Sequence, residues 1–219
     1  MSVRVLWFQY FEVFSLLCAL WCRRGLNRFS LGIMIPILLL DNITEFVAVN
    51  YAHLHWKSNH LVYNLYYLLS TPLYFYLFSA MLGGSTKERR RLLWAGVAVE
   101  VLLLANICFV QGWDEFNTFS ALIVALASVI LSCLLLARLA IRKDDKPGLL
   151  RDPYFWINAM ILLFNLVTFI VLGLHKYIVQ YHLEFGHKNL YFAISQAANA
   201  VLYTGYSYAF FLCRFQKSK

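Results

Sequence analysis

The sequence predicts an all-α, polytopic membrane protein: one domain over residues 1–219, built as a seven-transmembrane helix bundle with its N-terminus outside and its C-terminus cytoplasmic. Three observations predict it. Hydrophobic residues make up 61% of the chain and charged residues 14%, with a mean hydropathy of +0.63, more apolar surface than a soluble core absorbs. Apolar runs of roughly 20 residues, the length that crosses ~30 Å of hydrocarbon, recur along the whole sequence. Lysine and arginine gather in alternate turns between those runs.

The first span covers residues 4–22 and holds Gln9 and Glu12, three apart and near one helical face. Arg4 ahead of an apolar run looks like a secretory signal, but the run is too long and no small-x-small cleavage site follows it. An uncleaved span is expected. Span two, residues 29–51, has Pro36 as a kink and carries Asp41 to mid-membrane, with Glu45 one turn further out. Span three, residues 60–82, sets Tyr63, Tyr67, Ser70 and Tyr74 on one stripe, with Asn64 beside it. Gly83 to Thr86 then breaks the helix.

Span four, residues 92–110, offers Glu100, and span five, residues 118–141, is the least polar. Ala121, Ala125, Ser128 and Ser132 give span five a ridge of small residues on which another helix packs closely. Asp152 and Pro153 read as an N-cap followed by an N1 proline, opening span six over residues 153–175. Its polar stripe is Asn158, Asn165, Thr168 and His175. Span seven, residues 189–212, repeats the device with Gln196, Asn199, Tyr203 and Tyr206, beside a ridge of Ala193, Ala197, Ala200 and Thr204.

Fifteen of the nineteen lysines and arginines fall in the turns after spans one, three and five and at the C-terminus. Only Arg4, Lys57, Lys176 and Lys188 lie on the other side. The positive-inside rule therefore sets the orientation, and a multi-pass place in the cell membrane is expected. The net charge of +8 is explained by topology and anionic lipid, so no nucleic-acid partner is expected. The five cysteines, Cys18, Cys22, Cys108, Cys133 and Cys213, lie dispersed in or at the ends of apolar runs and read as small core residues.

Acids are seldom tolerated inside spans, and this chain places several there together with amides and hydroxyls. Glu12, Asp41, Glu45, Asn64, Tyr67, Glu100, Asn165, Gln196, Asn199 and Tyr203 are the candidate lining of a polar intramembrane pocket for a small molecule or an ion, serving sensing or transport. Against this stands a structural role, in which the same groups hold helices together by hydrogen bonds. All six histidines fall on the outer side. Among them His53, His55 and His60 are candidate ligands of a zinc ion, although no H-E-x-x-H spacing fixes a geometry. No cofactor beyond that zinc is expected.

Glu45, Asn59, the Tyr63-Asn64-Leu65-Tyr66 run and the segment from Asp152 to Ile157 resemble small bacterial seven-transmembrane proteins, a type also fused as membrane input modules to sensor histidine kinases. The resemblance implies a sensory role and carries no catalytic residue. The embedded Ser, Asp and paired His pattern of the seven-span ceramidase-like hydrolases is not matched. An enzyme is not the leading expectation, but an outward-facing metal-dependent hydrolase using His53, His55, His60 and Glu45 stays open. So does a partner subunit or homo-oligomer that docks through the ridges on spans five and seven.

Overall fold

The computed structural model describes residues 4–54, 56–82, 84–141, 148–185 and 188–216. The chain is helical almost throughout. Its long helices are α1 (Trp7–Trp21), α3 (Met34–Val49), α4 (His60–Leu82), α5 (Thr86–Phe109), α6 (Thr118–Ile141), α7 (Pro153–Gly173) and α9 (Leu190–Phe215), with short α2 (Arg23–Arg28) and α8 (His175–Gln180) between them. A two-residue hairpin, Glu184–Phe185 against Lys188–Asn189, leads into α9.

Among the described residues α4, α5, α6 and α7 are both long and apolar enough to cross a membrane, which marks the chain as membrane-embedded. α1 and α3, at 15 and 16 residues, fall short of that length. At about 1.5 Å per residue they measure roughly 22–24 Å. α2 continues α1 after a break at Cys22. α9 has 26 residues but spends many of them on amides and hydroxyls.

Local chemistry explains three of the helix starts. Ser85 caps α5 by accepting the Glu88 amide while Glu88 reaches back to the Ser85 amide. Asp152 caps α7 with Pro153 in its first turn, and Asn189 caps α9 through the Tyr191 amide. One expectation is corrected here. Residues 29–33 do not extend span two; they turn the chain, with Ser30 at φ 57° and the Leu31 amide bonded to the Leu26 carbonyl. Pro36 consequently stands in the first turn of α3 and needs no kink, because a first-turn amide has no intrahelical partner to lose.

Each long helix packs on its neighbours in sequence, and α9 returns to α1, so the packing order closes on itself. Gly25 makes part of this closure: a Cβ there would lie 2.6 Å from the Cys213 carbonyl oxygen, so only glycine lets α2 rest on the α9 backbone. The basic turns meet at one end. Arg28 donates to the Gln216 carbonyl and Arg214 to that of Trp21, stacking on the Trp21 ring, while Tyr154 donates to the Phe29 carbonyl. The apolar core, including Leu26, Met34, Ile37, Phe78, Leu135 and Phe210, fills this half of the bundle. Buried polar side chains occur in both halves, Asn50 and Asn64 toward the other end and Ser79 and Asn158 in this one.

Candidate functional site

α3 runs toward the loop at residues 50–59 and α4 runs back from it, so residues in contact across the pair should have numbers that add to a nearly constant value. They do. Tyr66 donates to Asp41 Oδ1 at 2.9 Å, and Tyr63, one turn nearer the loop, approaches Glu45 Oε2 at 3.4 Å. The four-residue step from Asp41 to Glu45 on α3 is thereby matched by the three-residue step from Tyr63 to Tyr66 on α4.

α1, which packs on α3, and α9, which packs on α1, close the cluster from the other side. Glu12 is fully buried, and Asp41 and Tyr203 are 4% and 3% exposed. The Tyr203 hydroxyl lies 3.1 Å from Glu12 Oε1 and 3.5 Å from Asp41 Oδ2, linking acids that are 29 residues apart in sequence. Glu12 Oε2 is buried without a partner among the described residues. The Arg138–Glu88 pair is far away at the basic end, and among the described residues none of the three clustered carboxyls meets a lysine, arginine or histidine.

Proton counting follows from this geometry. A phenol carries one hydrogen and can fill only one of the two contacts as donor; the second then requires a carboxylic proton donated to the phenol oxygen. With no cationic side chain among the described residues to offset them, buried acids of this kind hold protons or bind a cation.

The other predicted positions are used differently. Asn64 is 1% exposed, and both of its amide atoms clamp the α5–α6 loop: Nδ2 donates to the Trp113 and Glu115 carbonyls, and Oδ1 accepts the Asn117 amide. Asn165 and Asn199 each return Nδ2 to a carbonyl one turn back in their own helix, Ile161 and Ser195. Gln196 accepts the Trp7 indole at 2.7 Å and ties the start of α9 to α1. Glu100 stands apart on α5, where its Oε2 is buried without a partner among the described residues. Tyr67 is half-buried beside Tyr66, with Phe116 across from it.

Of the histidine candidates, His60 turns Nδ1 to the Asp114 carbonyl at 3.0 Å. His53 has only its backbone described, and His55 lies outside the described residues. Among the described residues no three His, Cys, Asp or Glu side chains are grouped to hold a metal ion. The described cysteines are free.

Tyr63 lies on the predicted stripe though outside the predicted pocket lining, and Tyr66 is the site residue that stripe reasoning misses. Tyr66 lies off the Tyr63–Tyr67–Tyr74 stripe, and only the antiparallel register with Asp41 and Glu45 selects it.

Fold and site together define a helical, membrane-embedded protein with a buried cluster of carboxyl and phenol groups. No family model, curated protein or solved structure matches the chain.

Proposed function

We propose that the protein is a multi-pass cell-membrane protein of seven spans, N-terminus outside and C-terminus cytoplasmic, that takes up and passes on a proton at Glu12, Tyr203 and Asp41 in the course of transport or sensing. One observation carries the reading: a single phenol hydroxyl stands within hydrogen-bond distance of two buried acids that have no basic partner among the described residues. Exchanging which acid holds the proton takes two coupled transfers: the Tyr203 hydrogen passes to one carboxylate as the proton of the other acid passes to the phenol oxygen. Glu45 and Tyr63 extend the set toward the end of the bundle away from the apolar core. The seven-span arrangement is supported by the closed packing order and by the gathering of basic turns at one end.

The test joins spectroscopy to flux. Infrared spectra of the protein in lipid, recorded across a pH titration, should contain a carboxylic-acid C=O band that Glu12→Gln and Asp41→Asn each alter. Reconstitution with a pH dye trapped inside the vesicles then separates the two roles. Proton flux under an imposed potential assigns transport, and a titrating band without flux assigns sensing. Absence of any carboxylic-acid band from these residues overturns the reading.

A further inference from the structure

We propose that the cleft between the basic ends of α4, α5 and α6 holds one anionic phospholipid, its phosphate on Arg89, Arg91 and Arg138 and the start of its acyl chains on Leu92, Leu131 and Leu134. These residues line a single cavity of about 390 Å³. That is room for roughly a dozen waters, more than a phosphate group occupies. The cleft is amphipathic in the sense a lipid requires, with guanidinium groups at the bundle end and leucines toward the membrane interior. Guanidinium forks match phosphate oxygens in pairs. Basic clefts between spans are a recurrent way of holding acidic headgroups.

The acid in the cleft is already occupied. Glu88 Oε1 pairs with Arg138 at 3.3 Å, and Oε2 accepts the Ser85 amide at 3.2 Å. Gly84 permits this fold-back, since a Cβ there would lie 1.9 Å from Glu88 Oε2. One glutamate against three arginines leaves an excess of positive charge facing the cavity. Arg89 uses Nε on the Ser79 carbonyl, and Arg138 uses Nη1 on that of Leu82. Both contacts fix the direction of the side chain while sparing other donors. Arg91 hydrogen-bonds to none of the described residues, so its whole guanidinium is open to a ligand. Leu134, 54% exposed, continues the apolar wall onto the outer surface, where an acyl chain leaves the cleft.

This site rests on the membrane reading above and is independent of the acid cluster. The experiment is native mass spectrometry of the full chain in mild detergent, with phosphatidylglycerol, phosphatidylcholine or inorganic phosphate added, alongside carbonate extraction of the membranes. Expected is retention of one phosphatidylglycerol about tenfold better than phosphatidylcholine, with about tenfold loss in Arg91→Gln, the effect of one charged contact. Leu134→Trp, which fills the apolar wall and leaves every arginine in place, should release the lipid equally well. Equal retention of the two lipids, displacement by inorganic phosphate alone, or full retention by both variants overturns the proposal. A chain that carbonate extracts breaks the membrane reading and the lipid site with it. A carbonate-resistant chain without lipid preference overturns the lipid site alone.

Discussion

The two sides of the bundle handle polar groups in different ways. On the α1, α3, α4 and α9 side, acids and phenols meet each other: Tyr203 stands between Glu12 and Asp41, and Tyr66 donates to Asp41. On the α5, α6 and α7 side, amides meet backbone or small hydroxyls: Asn158 donates to the Ser132 carbonyl on α6, Asn106 to the Ser120 hydroxyl, and Asn165 to its own helix. An amide on a carbonyl has one arrangement and works as a fastener. A phenol between two acids has two arrangements of nearly the same geometry, differing in which acid keeps the proton. Polar content alone therefore does not mark a functional region inside a membrane; shared, exchangeable hydrogens do.

The largest effect should come from removing the shared hydrogen. Tyr203→Phe leaves the ring packed in the core but takes away the hydroxyl that joins Glu12 to Asp41. Proton flux, or the pH response in a sensor, should fall about a hundredfold, the scale of one proton-transfer group. Tyr66→Phe removes a bond to Asp41 alone and should cost only a few-fold. Flux measurements on both variants rank the bridging and terminal hydroxyls. An equal effect from the two would break the distinction between them.

The next effect belongs to a fastener. Asn64→Ala removes three hydrogen bonds that hold residues 113–117 onto α4. It should cost about 2–3 kcal/mol of stability through buried loop groups left unsatisfied. The thermal midpoint should drop, and hydrogen exchange should rise in the α5–α6 loop while the carboxylic-acid band of Glu12 and Asp41 stays in place. Loss of that band in Asn64→Ala would mean that the loop clamp and the acid cluster form one unit.

Much of the helical layout was legible from composition and turn chemistry. The predicted limits of spans three and five coincide with α4 and α6, because Gly84, Ser85 and the Asn117-Thr118 step punctuate them sharply. The start of α3 was not, since residues 29–33 are as apolar as a span, and their turn is set by a left-handed Ser30 that composition does not reveal. Acids were easy to single out in an apolar background. What stripes could not tell was which amides join them. An Asn inside a helix finds a partner one turn back at no cost in packing, so Asn165 and Asn199 satisfy the periodicity of a pocket lining while bonding to their own helices. The small-residue ridges divide likewise. Ala121, Ala125, Ser128 and Ser132 are all buried within the chain, whereas Ala197 and Thr204 on α9 are exposed.

The smallest expected effect tests that last distinction. Asn165 and Asn199 are half-buried, and each spends Nδ2 on a carbonyl that already serves the helix ladder. Replacing either by Leu removes a bond of marginal net value, on average about 0.6 kcal/mol within membranes, and adds apolar surface of similar volume. Asn165→Leu and Asn199→Leu should therefore leave the thermal midpoint within the shift expected for about 0.5 kcal/mol and leave proton flux unchanged. A pocket-lining asparagine would behave otherwise, because its ligand or water would lose a partner. If Asn199→Leu slows flux tenfold while the midpoint holds, the proton path extends from the acid cluster along α9; if Asn165→Leu does so, it extends along α7, and the boundary between the two sides of the bundle moves to include that helix.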